Sequence, residues 1–299
     1  MRKSEIGQSR ISGMSVAPSF ITPLRYPGGK ARLGAWLGEL IDCNNLSNCT
    51  YIEPYAGGAG AAVYLLVNNK VKNIVINDID DSVYAFWWSV LNDTQEFVKL
   101  ISDAPVTIEN WLIQREIVRS PQEHSRTALG FAAFFLNRTN RSGILHGGVI
   151  GGQRQDGKYK LDARFNKQAL IDRINRIASY RERITISNLD AMSLVDELSK
   201  SVEKPLFYLD PPYYNKGNQL YQNHYAPDDH KKIAQTVKAL NHPWIVTYDN
   251  CPEICELYNG CSGFEFSFHY STHLHRPVGK EIMYYSDCIT LHKPPVMKR

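Results

Sequence analysis

Several common signatures are missing from this sequence, and each absence narrows what the chain does. No GxGxxG dinucleotide fingerprint is present, and neither Gly29–Lys30 nor Gly279–Lys280 has the upstream glycine of a GxxxxGK phosphate loop. A nucleotide triphosphatase is therefore disfavoured. No stretch approaches the roughly 18 to 20 consecutive apolar residues of a membrane span. The first residues, MRKSEIGQSRISGMSVAPSF, have no apolar segment of the kind that marks a secretory signal, and read as a leader or arm. The 6 cysteines include no CxxC pair and no disulfide-like density, which predicts a reduced, cytoplasmic protein. Cys251, Cys255 and Cys261 with His242 fit no common zinc spacing, so no metal is expected. There is no internal repeat and no low-complexity tract.

What is present suits one large domain, or one domain carrying an insertion: 299 residues, 43% of them hydrophobic. The formal net charge of +4 is unevenly spread. Residues 110–185 hold 14 Lys and Arg against 6 Asp and Glu, whereas the rest of the chain holds 20 against 24. A solvated face is the plain explanation. So lopsided a segment more often meets an anionic partner, nucleic acid first.

Short apolar runs alternate with helical patterns, the mark of an α/β sheet. Strands are predicted at 50–53, 73–77, 183–188, 206–210 and 243–249, with a hairpin from 264–270 and 281–286. Helices are predicted at 59–69, 166–180 and 228–240. The alternation breaks between about 92 and 182, first helical, then glycine-rich and polar. This is also the basic part of the chain, and it reads as a module inserted into the sheet domain. The predicted organisation is a leader over 1–22, a sheet domain over 23–91 and 183–290, and the module over 92–182.

YIEPYAGGAGAAVYLL (51–66) is a strand, a glycine turn and a helix start. At the head of a parallel sheet such a turn lies where cofactors bind. NIVINDID then ends its strand in Asp78, where an acid can accept both hydroxyls of a ribose. The other reading of Asp78 is a helix cap for the residues near Asp80. In register with the glycine turn, ribose binding is the stronger reading. A third segment, LFYLDPPYY (206–214), closes a buried strand with an acid, two prolines and two tyrosines.

Five stretches together, PLRYPGGKARL (23–33), EPYAGGAG (53–60), NDID (77–80), FFLNRTNRSG (134–143) and DPPYY (210–214), resemble the Dam-type N6-adenine DNA methyltransferases. The resemblance covers nearly the whole chain from about Pro23 to Tyr285. Its motif order is similar to the alpha arrangement: cofactor motif, target-recognition segment, catalytic motif. It implies S-adenosyl-L-methionine as methyl donor and a Rossmann-like methyltransferase sheet with an inserted, largely helical DNA-recognition module. It implies double-stranded DNA as partner. A cognate restriction endonuclease, an orphan role and a phage role all stay open, as does the recognition sequence.

Carried over by the resemblance, Tyr26, Gly29 and Lys30 lie against the cofactor. Glu53, Pro54, Tyr55, Gly57, Gly58 and Gly60 lie at its methionine end. Asp78 takes the ribose, Ile79 lies beside the adenine, and Asp190 lies near the base, although Asp190 could equally cap the next helix. Asp210 is implied at both the cofactor and the catalytic step.

The residue chemistry of DPPYY fits that step. An exocyclic amine is a poor nucleophile because its lone pair is delocalised into the ring. Asp210 can accept one amine proton and stabilise the developing positive charge, and the Pro211 carbonyl can accept the other. Pro211 and Pro212 restrict the backbone so that these acceptors are aimed in advance. A duplex base must be extruded to react, and Tyr213 would offer it an aromatic face worth roughly 1–3 kcal/mol. No PC dipeptide is present, and no cysteine is needed for chemistry at an amine.

In the basic module, NRTNRSG (137–143) packs side chains that read bases and clamp phosphates. GGVIGGQRQDGKYK (147–160) is predicted as a β-hairpin. Asn137, Arg138, Asn140, Arg141, Arg154 and Lys158 are the expected DNA contacts, with the alternative that Asn137 and Arg138 buttress the catalytic loop. NQLYQNHY (218–225) is either a fold over the extruded base or an ordinary surface loop. Two rival functions stand beside this one: an amine methyltransferase on RNA adenine, cytosine N4 or protein glutamine, and an inactive DNA-binding relative.

Overall fold

The computed structural model describes residues 21–25, 30–214, 225–269 and 278–291. Within them, seven strands form one sheet in the order β3-β2-β1-β4-β5-β7-β6. The strands are β1 (Thr50–Glu53), β2 (Asn73–Asn77), β3 (Ile184–Ser187), β4 (Pro205–Leu209), β5 (Trp244–Asp249), β6 (Ser262–His269) and β7 (Val278–Tyr285). The first five pair in parallel, and β7 runs antiparallel between β5 and β6. The sheet of a Rossmann-like methyltransferase is therefore present, closed by the expected hairpin.

Strand alternation sorts the core onto two faces. Tyr51, Ile74, Ile76, Leu206, Tyr208, Ile245 and Met283 join one buried cluster, while Ile52, Val75, Phe207, Leu209, Val246 and Ile282 join the other. The first face packs on α1 (Gly34–Cys43), α2 (Gly60–Val67) and α3 (Asp81–Asn92). The second packs on α8 (Ala191–Ser201), α9 (Pro227–Lys238) and α10 (Pro252–Leu257). Local chemistry starts several helices: Asp80 accepts from Ser82 N and Val83 N at the head of α3, and Asp190 accepts from Ser193 N at the head of α8.

The 92–182 segment contains α4 (Thr94–Asp103), α5 (Ile108–Arg119), α6 (Arg126–Thr139) and α7 (Lys167–Ala178). It shares the first face's core. Phe86 of α3 stacks on Phe134 of α6 with ring centroids 5.9 Å apart, and Phe134 meets Phe165 at 5.6 Å. Ile21 and Thr22, at the end of the stretch expected as a leader, are buried.

The predicted hairpin over 147–160 is corrected. Among the described residues this stretch forms turns, with a single antiparallel bridge from Val149 to Asn140. Gln155 holds it together: its Nε2 donates to Ile150 O at 2.8 Å, and its Oε1 accepts from Leu161 N at 2.8 Å. Internal side-chain bonds thus take over the role that a strand ladder would have served.

Candidate active site

The order of the sheet sets where ligands go. From β1 the chain moves outward to β2 and β3, then returns to the other side of β1 as β4 and β5. Ligands of such sheets bind outside the carboxyl ends of the strands at that switch point. The glycine turn follows β1 and Asp210 follows β4, so the two motifs flank it.

On the β1–β2 side, Asp78 accepts from Gly57 N at 2.8 Å and from Asp80 N at 3.0 Å. Burial pushes its carboxyl up to about 7, with the Asp80 amide pulling the other way. The helix-cap reading of Asp78 falls away, because Asp80 does the capping. Asn77 laces the strand ends: its Nδ2 donates to Pro54 O and Leu189 O, each at 2.9 Å, and its Oδ1 accepts from Leu189 N at 2.9 Å. Beside Asp78, Ile79 and Leu189 stay 48% and 42% exposed. An apolar slot next to a hydroxyl acceptor has the chemistry of a nucleoside site. The residues present therefore fit an adenosine-bearing group. Leu189 went unnoticed in the sequence, where it reads as a loop residue.

The turn itself is held in an unusual shape. Ala59 has φ 44°, in the left-handed region that non-glycine residues seldom adopt. Gly57 O accepts from Trp87 Nε1 at 2.9 Å, and Gly58 O accepts from Thr22 Oγ1 at 2.6 Å. At Gly60 an added Cβ would lie 2.7 Å from Ala31 Cβ, so this glycine lets the short helical turn Lys30–Leu33 pack close. Glu53 accepts from Ala62 N at 3.1 Å, and burial pushes its carboxyl up to about 8. Asp190 is exposed and caps α8, with Ser193 Oγ also donating to it at 3.0 Å. Tyr55 meets Tyr225 edge to face at 6.0 Å. Tyr26 and Gly29 lie outside the described residues, as does all of 218–225 except Tyr225.

On the β4 side a compact ionic cluster forms. Lys30 Nζ lies 2.9 Å from both oxygens of Asp210 and 3.4 Å from Glu281 Oε2. Burial alone would lower Lys30, yet Asp210 and then Glu281 hold it well above its ordinary value. Thr247 Oγ1 donates to Asp210 Oδ1 at 2.7 Å. Tyr213 donates its phenolic hydrogen to Glu281 Oε1, and Lys30 Nζ lies 5.5 Å from the Tyr213 ring centroid. Asp210 keeps a side-chain exposure of 20%, against 4% for Lys30 and 0% for Glu281. The acid after β4 is therefore the most exposed of these three side chains. Pro211 is buried and Pro212 half-buried, and Asp249 Oδ1 anchors the next turn through Tyr214 N at 2.9 Å.

A family model for the D12 class N6 adenine-specific DNA methyltransferases matches residues 26–275, a span that takes in both halves of this site except Glu281. The chain belongs to that family. It is an adenine-specific DNA methyltransferase, and its chemistry is methylation of adenine in DNA. A Type II methyltransferase, M.MjaIII of Methanocaldococcus jannaschii, is 22% identical over 236 residues, covering 73% of this chain and 79% of that protein. A methyltransferase of this family uses a methyl donor of the S-adenosylmethionine type.

The structure redistributes the expected DNA contacts of this methyltransferase. Asn137 and Asn140 are 2% and 0% exposed, so neither faces DNA. Asn140 Oδ1 accepts from Trp111 Nε1 at 2.7 Å, and its Nδ2 donates to Ile144 O and Leu145 O at 2.9 Å each. Asn137 Nδ2 donates to Arg25 O at 2.7 Å and to Gly143 O at 2.9 Å. Gly143 has φ 79°, and a Cβ there would lie 2.2 Å from Arg25 O. NRTNRSG is thus a clamp on the chain leading to Lys30. Arg138 is half-buried: its Nε donates to Arg164 O at 2.7 Å and its Nη1 to Pro23 O at 3.3 Å. Arg141, Arg154 and Lys158 are exposed. Tyr213, expected to offer an open face, is only 4% exposed because its hydroxyl is drawn in to Glu281.

Among the described residues no helix is long and apolar enough to cross a membrane, and no group of three His, Cys, Asp or Glu could hold a metal ion.

Proposed function

We propose that the enzyme takes S-adenosyl-L-methionine in the slot along β1 and β2, extrudes a target adenine from duplex DNA, and presents its N6 amine to Asp210. The single observation that carries this reading is the part-exposed Asp210 held by Lys30 and Thr247 at the sheet's switch point.

A carboxylate has about four lone-pair sites. Thr247 and Lys30 use sites on both oxygens, and the exposed side remains for an amine hydrogen. When bound, the donor supplies an electrophilic methyl group. The amine nitrogen would gain a bond to that methyl as the methyl's bond to the donor's sulfonium sulfur breaks and the sulfur leaves as a neutral thioether; the nitrogen would become positive and then lose a proton to solvent. Asp210 stabilises the positive nitrogen as it forms and accepts the hydrogen bond from the leaving proton. Asp78 would hold ribose hydroxyls, with Ile79 and Leu189 against the adenine ring. Tyr55, Pro54, Gly57, Gly58 and Glu53 would border the methionine end. Tyr213 would border the extruded base, its hydroxyl fixed by Glu281.

For DNA, Arg141, Arg154 and Lys158 offer exposed positive charge. A further group supports the same partner. Burial first, and then the neighbouring Arg25, Arg173 and Arg164, push Arg138 down to about 9. None of the four has an ion pair to a carboxylate among the described residues. Clustered guanidinium groups without an acid favour an anionic visitor, and phosphate oxygens suit them. The resemblance to a Type II methyltransferase favours work beside a restriction endonuclease in the cytoplasm.

The test is incubation of the protein with duplex DNA and labelled donor, followed by sequencing that maps N6-methyladenine. Methyl groups at one adenine of a defined sequence support the reading. Methyl groups on RNA or on cytosine N4 would replace it.

A further inference from the structure

His230 is a buried polar side chain outside the cluster around Asp210. It stands in the first turn of α9 and is 1% exposed. Its Nδ1 lies 3.2 Å from the hydroxyl of Tyr248 on β5. Three tyrosine rings pack on the imidazole, with centroids 5.1 Å away for Tyr214, 5.6 Å for Tyr248 and 5.9 Å for Tyr225. Burial holds the imidazole below its ordinary value, against the pull of Asp249 and Asp229, so these neighbours meet a neutral ring.

Each ring belongs to a different part of the site. Tyr214 ends the DPPYY turn, and its amide donates to Asp249 Oδ1 at 2.9 Å. Tyr248 follows Thr247, whose hydroxyl holds Asp210 at 2.7 Å. Tyr225 meets Tyr55, beside the glycine turn, at 6.0 Å. One imidazole thus bears on the turn that carries the acid and, through Tyr225, on the motif assigned to the donor's methionine end. The prolines give this contact leverage. Pro211 and Pro212 restrict the torsions between Asp210 and Tyr214, and a stiff segment passes on a shift at its end. A displaced Tyr214 would turn Asp210 and the Pro211 carbonyl away from the amine. Misplacing a reacting group by about 1 Å costs on the order of 100-fold in rate.

We propose that His230 is a positioning residue whose ring, packed between Tyr214 and Tyr225, holds the Asp210–Tyr214 turn in register with the donor side of the site. The idea rests on the reading that Asp210 meets the amine. The Tyr248 hydroxyl sets the angle of the imidazole, and the ring contacts do the holding. The competing account makes His230 a filler of the second face's core, whose loss costs stability alone.

His230→Ala and His230→Phe separate the two accounts. The readout is the single-turnover rate constant of methyl transfer with enzyme and donor saturating, which does not depend on the fraction of molecules folded. His230→Ala should fall by about 30-fold or more, the scale of a misplaced reacting group. Its dissociation constants for donor and for cognate duplex should stay within about threefold, because the loss lies in the chemical step. His230→Phe keeps a ring against Tyr214 and Tyr225 and should stay within about fivefold of the parent. A parental rate constant in His230→Ala makes His230 a filler and overturns the proposal. So does a His230→Phe as slow as His230→Ala, since the ring contacts would then hold nothing. A donor affinity that falls as far as the rate also overturns it, because His230 would then shape the donor site. Should His230→Ala lack the cooperative melt of the parent, Tyr214→Leu carries the test: it removes from a half-buried position the ring that His230 holds, and it must show the same loss. Asp210→Asn runs alongside. An active Asp210→Asn sinks the reading of the site itself, whereas an inactive one beside a fully active His230→Ala sinks only the role of His230.

Discussion

Asn137 grips Arg25 with both ends of its amide: Arg25 N donates to Asn137 Oδ1 at 2.7 Å, and Asn137 Nδ2 donates to Arg25 O at 2.7 Å. A residue from the basic segment thereby fixes backbone that leads to Lys30. Asn137→Ala removes three hydrogen bonds around a side chain that is 2% exposed. The expected loss is about 2–4 kcal/mol of unfolding free energy, read from urea denaturation. A variant of parental stability that only binds DNA less well would restore Asn137 to the DNA surface.

Exposed cations should behave differently. Arg154→Ala and Lys158→Ala should leave the melting temperature unchanged and weaken binding to cognate and random duplex alike. Each should also make the salt dependence shallower by about one counterion. A loss confined to cognate DNA would mean that these residues read bases.

Donor affinity should depend on pH through Asp78. Its carboxyl is pushed up to about 7, and the ionised form is the better acceptor for ribose hydroxyls. Calorimetry should therefore show affinity rising from pH 6 to pH 8, with the rise absent in Asp78→Asn. Equal slopes in both proteins would remove Asp78 from the binding site.

Stability should run the opposite way. Glu53 is raised from 4.5 to about 8, so between those values the unfolded chain has released a proton that the folded chain retains. Unfolding free energy falls with pH where the folded state binds more protons. The Glu53 contribution is thus fully present below about pH 4.5 and is lost as pH rises to 8. Glu53→Gln should flatten that slope, and a parent with no slope over this window would contradict the burial argument.

Much of this architecture was legible in the sequence because its signals are local. The strands at 50–53, 73–77 and 206–210 show as short apolar runs, and the glycine turn and DPPYY sit at their ends. Asp78 and Asp210 could be named for the same reason. Glu281 was not, since its place depends on β7 pairing with β5 and on a lysine from the far end of the chain. The available signal was an acid on the inward alternation of EIMYY, in register with Met283. Asn137 and Asn140 were misread because composition alone does not distinguish an amide that reads a base from one that satisfies buried carbonyls. The 147–160 stretch misled for a related reason: its glycines serve turns arranged around Gln155.

The most direct test of the account is the single-turnover methylation rate of Asp210→Asn on its cognate duplex, with donor and DNA affinities measured on the same protein. Asparagine preserves the shape and removes the charge. The account predicts loss of methyl transfer with both affinities close to the parent, because the carboxylate acts as positive charge develops on the amine. Methylation of adenine N6 by Asp210→Asn at a rate near the parent's would contradict it.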